Sequence, residues 1–180
     1  MKNRTPLPVY LSILLLFPSI LQAQTIEGYI DNEWPDSRYT DHGNGTVTDT
    51  KTGLSWKQCS EGQTASSGGC SGDASSYTWD QALQQPATLN SGGGYAGHSD
   101  WRLPNIKELA SLGALDRNSP SINSALFPST PSAWFWSSSP YAYYGGSYTS
   151  GYAWGFSFSY GLDSIPSRVN SNHVRLVRGG

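Results

Sequence analysis

Alternation of aromatic and small residues near the C-terminus gives the clearest structural signal in the chain. Residues 154–160 read WGFSFSY, with a ring at every second position. Strict alternation of this kind predicts a half-buried β-strand. Runs rich in aromatic and β-branched residues at 134–138 and 174–177 predict two further strands. The sheet is therefore expected to be weighted to the C-terminal part of the chain.

A β-hairpin is expected nearer the N-terminus. Asn44-Gly45 favours a two-residue turn, because both residue types tolerate positive φ. Residues 46–48 follow as a short strand. A second turn at residues 52–53 leads to another strand at 54–56.

The first predicted helix begins after Thr78. Gln81 stands three residues later, which is the spacing of a capping box. Pro86 is expected to end or kink this helix, because proline removes a backbone donor. The predicted apolar face consists of Trp79, Ala82 and Leu83.

The second predicted helix begins after Asn105, with Glu108 completing another capping box. Gly113 is placed to stop it. Its buried stripe is expected to consist of Ile106, Leu109, Ala110 and Leu112. Two helices between strands predict an α+β fold.

Asp100, Trp101 and Arg102 precede this helix and could suggest acid–base chemistry. A structural role explains them more simply. Trp101 and Leu103 are expected to fill the core, and Arg102 to pair with a carboxylate.

The N-terminus has the pattern of an export signal. Lys2 and Arg4 precede a mostly apolar run at residues 7–21, with Ala23 before the expected cleavage point. The run is short for a membrane span and contains prolines. We therefore expect a signal peptide at 1–23, a lead-in segment at 24–38 and one domain at 39–180. The mature chain is expected in the periplasm or outside the cell, without membrane insertion.

Composition singles out residues 134–160, which hold twelve of the chain's 23 aromatic residues. Tyrosines spaced by Ser, Gly and Ala are typical of antibody combining loops, because tyrosine brings a large contact area at low entropic cost. This pattern predicts a recognition surface, with Trp134, Trp136, Trp154 and Phe156 assigned to the core. A second polar loop at 163–172 is expected to share its face. The predicted ligand-binding residues are Tyr141, Tyr143, Tyr144, Tyr148, Tyr152, Asp163, Arg168, Asn170 and Asn172.

Two cysteines, Cys59 and Cys70, enclose a loop rich in Gly and Ser. An even pair this close in an exported protein predicts a structural disulfide. A redox or metal-binding pair is the alternative, but the spacing is not CxxC and no further Cys or His lies nearby.

Charge argues against nucleic acid as a partner. The chain carries a net charge of −2, and export would remove two of its basic residues. A local basic patch stays open, because Arg168, His173, Arg175 and Arg178 crowd the C-terminus.

The sequence offers no catalytic or metal-binding motif. His42, His98 and His173 do not share metal-ligand spacing. Neither a phosphate-binding glycine loop nor a GxSxG motif occurs. We therefore expect no metal, no cofactor and no enzymatic activity.

Several segments in order resemble the Lcl C-terminal domain family, the C-terminal domain of the Legionella collagen-like protein. They are GTVTDTKTGLSW, YTWDQAL, GHSDWRLPNIKELASL, FWSSSP, AWGFSFSYG and HVRLVRG. The resemblance covers about residues 39–179.

The resemblance implies a C-type lectin-like fold, with two helices beside a small twisted antiparallel sheet. Long loops and later strands would present a variable binding face. The named member of the family is a trimeric adhesin for sulfated glycosaminoglycans, but this chain has no Gly-X-Y stalk. It also lacks the EPN, QPD and WND tripeptides of calcium-dependent lectins, so a glycan would be bound by stacking and hydrogen bonds.

The leading interpretation is an exported binding module for a glycan or a cell-surface protein. One alternative is a receptor-binding protein diversified by a retroelement, which the Tyr, Ser, Asn, Gly and Asp content of residues 140–172 would suit. A neighbouring near-copy of the gene segment and a reverse transcriptase would decide that. Another alternative is a structural envelope protein without a small ligand.

Overall fold

The computed structural model describes residues 24–67, 69–142 and 151–179. The predicted signal peptide lies outside the described residues, as do Tyr143, Tyr144 and Tyr148. No helix within these ranges is long and apolar enough to cross a membrane.

Two α-helices and thirteen short strands are formed by the described residues. The helices are α1 (Trp79–Ser91) and α2 (Ile106–Ala110). The strands are β1 (Thr25–Ile26), β2 (Tyr39–Asp41), β3 (Thr46–Asp49), β4 (Ser55–Lys57), β5 (Thr64–Ser66), β6 (Gly69–Ser71), β7 (Ser76–Tyr77), β8 (Arg117–Asn118), β9 (Trp134–Pro140), β10 (Ala153–Ser157), β11 (Leu162–Ser164), β12 (Asn172–His173) and β13 (Val177–Arg178).

The predicted α+β class is confirmed, but the strands form several small sheets rather than one. Five strands follow the order β11-β10-β9-β12-β7, and four follow the order β13-β4-β3-β2. The pairs β1–β8 and β5–β6 form separate ribbons. Strand pairing is antiparallel throughout the described residues except between β12 and β9, where His173 pairs with Phe135 in parallel.

The hairpin at Asn44-Gly45 is present, but the prediction of a two-residue turn is wrong. The connection from β2 to β3 runs over residues 42–45. Asn44 Oδ1 accepts hydrogen bonds from the backbone and hydroxyl of Thr46, and Gly45 adopts a φ of 83°. A side-chain turn centred on Asn44 therefore replaces the backbone turn expected from the dipeptide.

Both predicted capping boxes are confirmed, at Thr78 with Gln81 and at Asn105 with Glu108. Pro86 was expected to end or kink α1, and the first of these alternatives is wrong, because the helix continues through it to Ser91. The segment beyond the proline is anchored, since the Asn90 side chain bonds both backbone groups of Trp101. This tertiary anchoring outweighs the hydrogen bond that the proline removes.

Two clusters of buried side chains form the core. The first joins β3, β4, β13 and α2 to the later strands, and includes Trp56, Leu109, Phe135, Phe156 and Phe158. The second packs α1 against the other side of β9, and includes Trp79, Trp101, Leu103, Trp136 and Leu176. The core assignments of Trp101 and Leu103 are confirmed.

The predicted ion pair of Arg102 is also confirmed. Its guanidinium donates two hydrogen bonds of 2.7 Å to the Glu108 carboxylate. Because Glu108 also accepts the Asn105 amide, this pair fixes the entry into α2.

A second ion pair lies deep in the four-stranded sheet. Arg38 donates to both carboxylate oxygens of Asp49, at 2.9 and 2.6 Å, and the Asp49 side chain is fully buried. Burial alone would raise the pKa of Asp49. Hydrogen bonds from Arg38 and the Lys51 amide outweigh burial and hold this pKa below its ordinary value of 3.8.

Replacing Asp49 by Asn should therefore change both stability and its dependence on pH. A folded-state pKa below the unfolded value stabilises at higher pH, and this stability is lost as pH falls through the folded-state pKa. We expect Asp49→Asn to lower the free energy of unfolding by about 3 kcal/mol at pH 7, because it leaves Arg38 uncompensated. The variant should lose less further stability below pH 4 than the parent chain. Urea titrations at several pH values would measure both effects. Asp73→Asn, at an exposed position, is the control.

Candidate functional site

The tyrosine-rich segment, residues 141–152, connects two paired strands. Pro140 at the end of β9 is opposite Ala153 at the start of β10. Beyond them, the Tyr141 amide donates to the Tyr152 carbonyl at 3.3 Å. Tyr141 is half-buried and Tyr152 is 38% exposed. Neither described end of the segment therefore lies in the packed interior.

A groove of about 250 Å³ opens beside this hairpin, between α2 and the strands β10 and β11. We call it the aromatic groove. It is lined by Ile106, Lys107, Ala110, Trp154 and Asp163.

Strand alternation explains which side chains reach the aromatic groove. Trp154 and Phe156 are two residues apart in β10 and share a face. Phe156 packs against Gly113 just beyond α2, where any Cβ would overlap its ring. Asp163 pairs with Phe156 across β10 and β11, so it lies on this face as well.

The aromatic part of the groove is a pair of rings. Tyr141 meets Trp154 edge to face, with 5.7 Å between ring centroids and an interplanar angle of 75°. Trp154 is only half-buried, whereas Trp136 and Phe156 are buried. The core assignment is therefore confirmed for Trp136 and Phe156. Trp134, like Trp154, is only half-buried.

The polar part of the groove consists of two opposite charges. Lys107 and Asp163 are both exposed, and neither forms an ion pair with another described residue. An ammonium and a carboxylate in the same groove as a ring supply hydrogen-bond donors and acceptors for a polar ligand. Lys107 was missed by sequence reasoning, although its place beside the half-buried Ile106 in a short helix marks it as outward-facing.

Arg168 joins the second polar loop to the tyrosine-rich segment. Its guanidinium lies 4.1 Å from the centroid of the Trp79 ring, and its Nε donates to the Tyr152 carbonyl at 3.0 Å. The backbone of Arg168 bonds Gly151 and Trp79. Arg168 therefore anchors the loop. The two predicted loops meet here, through a bridge between Tyr152 and Ser167.

The two asparagines of this loop differ in exposure. Asn170 is exposed, as expected. Asn172 is only 7% exposed and lies in β12 opposite Tyr77. Its side chain is nearly buried, because β12 pairs with β9 on one side and with β7 on the other.

The C-terminal basic residues do not form a surface patch. Arg175 is fully buried, and Arg178 donates to Asp100 at 2.8 Å. Arg168 is stacked on Trp79, as described above. Sequence proximity was misleading, because alternate residues of a strand point to opposite faces.

The predicted disulfide between Cys59 and Cys70 is confirmed. The part of the chain that the structure describes contains no group of three His, Cys, Asp or Glu residues able to hold a metal ion. His42 and His98 are distant in sequence but line one small groove of about 240 Å³ together with Arg178. This groove shares no lining residue with the aromatic groove.

Arg168→Ala should loosen the junction of the two loops while leaving the cores intact. We expect a loss of about 1 kcal/mol in the free energy of unfolding, from the cation–π contact and one hydrogen bond. The amide of Ala153, which donates to Pro166, should exchange hydrogen faster. Hydrogen-exchange mass spectrometry would measure this, with the exposed Val169→Ala as control. Unchanged exchange at Ala153 would contradict the anchoring role.

No curated protein matches the chain. The family model of the Lcl C-terminal domain matches residues 45–178, which include both helices and most strands of the two larger sheets. The chain therefore belongs to the Lcl C-terminal domain family.

Proposed function

We propose that this protein is an exported, non-catalytic binding module that recognises a glycan at the aromatic groove and the tyrosine-rich segment. One observation carries the proposal. The half-exposed Trp154 ring shares one groove with the exposed Lys107 and Asp163, and Tyr141, just beyond the end of β9, contacts this ring.

Sugar recognition needs both elements of this groove. One face of a pyranose ring presents mainly C–H groups, which pack on the apolar face of an aromatic side chain. The hydroxyls around the ring need donors and acceptors, which Lys107 and Asp163 supply. Binding of this kind requires no metal ion.

The tyrosine-rich segment would complete the site. Tyr141 contacts Trp154, and Tyr152 lies at the other end of the segment. Tyr143, Tyr144 and Tyr148 would extend the contact area, with Asp163 and Asn170 at the rim. Arg168 would act by holding the two loops together rather than by touching the ligand. Family membership supports a binding role in general.

The proposal also includes export, the absence of a nucleic-acid partner and the type of fold. Basic residues followed by an apolar run at 1–23 support export to the periplasm or beyond. A net charge of −2 argues against nucleic acid as a partner. We also propose that the two helices and the small sheets form a C-type lectin-like arrangement. A cell-surface protein is the second class of ligand, because tyrosine-rich loops bind proteins as well.

A glycan array tests the proposal directly. The chain is expressed from its full sequence and applied to immobilised glycans and to purified cell-surface proteins. We expect Trp154→Ala and Lys107→Ala to lower glycan capture at least fivefold, because stacking and a charge-assisted hydrogen bond each contribute more than 1 kcal/mol. Lys51→Ala, at a 63% exposed lysine of another surface, is the matched control. If the chain captures proteins but not glycans, and Trp154→Ala and Lys107→Ala weaken that capture, the ligand is a cell-surface protein and not a glycan.

The tyrosines are tested by a double variant. Tyr143→Ala with Tyr144→Ala should weaken the same binding at least fivefold without lowering the melting temperature, since a few aromatic residues carry most binding energy. Tyr29→Ala, at an 83% exposed tyrosine, is the control. An equal loss of folding would assign both residues to the interior and refute the recognition surface.

A further inference from the structure

We propose a second ligand site, independent of the aromatic groove, that takes a neutral oligosaccharide segment. It is a cleft of about 820 Å³ between the β5–β6 hairpin and the turn at residues 42–45. We call it the polar cleft. The side chains that carry the argument are Asp41, Asn44, Gln58, Ser66, Ser67 and Tyr95.

One wall of the polar cleft is held rigidly. The Cys59–Cys70 disulfide ties β6 to the segment that follows β4. Gln63 Nε2 donates to the Ser129 carbonyl at 3.1 Å, and the Ser129 hydroxyl donates back to the Cys70 carbonyl at 3.2 Å. These links tie the hairpin to the body of the protein. A wall fixed before binding lowers the entropic cost of holding a ligand.

The floor of the cleft lies at Gly45, where three segments converge. A Cβ at this position would overlap the Tyr95 hydroxyl and lie 2.8 Å from the Ala65 Cβ. Gly45 also has a φ of 83°, which favours glycine. The hairpin, the turn and Tyr95 therefore meet closely below an open volume.

Hydrogen-bonding groups on the cleft are only partly used by the protein. Asn44 Oδ1 accepts from Thr46, but its Nδ2 has no partner among the described residues. Gln58 Nε2 makes a long bond of 3.4 Å to Asp41, and its Oε1 bonds no described residue. The Tyr95 hydroxyl makes only a 3.4 Å bond to Gly45. Side-chain amides with spare donors and acceptors match adjacent sugar hydroxyls, which both donate and accept.

Charge in the cleft selects against anionic ligands. Lys57 is bound to Glu61 at 2.6 Å, and both side chains are nearly buried. The Lys57 ammonium also lies 4.7 Å from the Tyr95 ring centroid. Asp41 is the remaining charged side chain on the lining and is negative. A sulfated or phosphorylated ligand would meet this carboxylate with no available cation, so the ligand is expected to be neutral.

Size and lining argue for a sugar rather than a protein segment. The volume falls within the roughly 300–1,000 Å³ of small-molecule sites. The apolar positions on the lining are small, at Ala65, Ala125 and Pro128, and offer no pocket for a large hydrophobic anchor. Protein interfaces depend on such anchors. A neutral di- to tetrasaccharide suits the lining better.

The experiment is calorimetric titration of the full chain with neutral gluco-, galacto-, manno- and N-acetylglucosamine oligosaccharides of two to four units. At least one series should bind. Gln58→Ala should weaken that binding about fivefold to tenfold, because it removes a side-chain amide that would hydrogen-bond a sugar hydroxyl. Ser66→Trp, at an exposed position of the hairpin, should abolish it by filling the cleft. Gln84→Ala on the exposed side of α1 is the control.

Two comparisons separate this site from the proposed function. Trp154→Ala should leave binding at the polar cleft unchanged, and Ser66→Trp should leave capture at the aromatic groove unchanged. Affinity should also be insensitive to salt between low and physiological ionic strength, because the ligand is uncharged. No binding of any neutral series at 10 mM, as an order of magnitude for weak sugar sites, would overturn the inference. Binding that survives Ser66→Trp, or binding of peptides alone, would do the same.

Discussion

The guanidinium of Arg175 is the interaction on which much of this architecture depends. It is fully buried and donates to the carbonyls of Lys57 and Gln58 and to the hydroxyl of Thr130, the last at 2.7 Å. Burial lowers the pKa of Arg175 to about 9, and Glu61 opposes this. Every described strand except β9 has five residues or fewer, so one multivalent donor that joins β4, residues 58–60 and the 127–130 segment supplements the short ladders. Removing such a group would leave several buried carbonyls unsatisfied.

Tryptophans extend this principle to the second core cluster. The indole N–H of Trp79 donates to the Ser137 carbonyl at 2.8 Å, and that of Trp136 to the Tyr77 carbonyl at 2.7 Å. Trp101 likewise donates to the Tyr95 carbonyl at 3.0 Å. Each ring supplies apolar area to the core while its polar edge satisfies backbone of a different segment. The loops that present both proposed sites are therefore attached to the core by directional bonds as well as by packing.

Sequence reasoning succeeded where local chemistry decides the structure. Capping boxes need only residues three apart, and the disulfide needs only a short loop in an oxidising environment, so Thr78, Asn105 and the cysteine pair were predictable. The alternation of WGFSFSY correctly indicated a strand, although β10 ends at Ser157 rather than at residue 160. The family resemblance correctly identified the domain.

Prediction failed where distant residues decide. Pro86 is tolerated because Asn90 is tied to Trp101, and Asn172 is buried because β12 inserts between two other strands. Trp154 looked like core from its strand, but α2 is too short to cover it. The polar cleft joins Asn44, Gln58 and Tyr95, which no local pattern connects. Such sites are defined by tertiary contacts, which the periodicity and composition of a sequence do not reveal.

The closure of the β9–β10 hairpin has an evolutionary consequence. Strand pairing and the Tyr141–Tyr152 backbone bond close the ladder at the two ends of the tyrosine-rich segment, and neither core cluster includes its described residues 141, 142, 151 and 152. Insertions, deletions and substitutions there would be nearly decoupled from folding. The scaffold could thus acquire new specificities by drift in one short segment, and the same decoupling would suit it to laboratory libraries randomised between those two tyrosines.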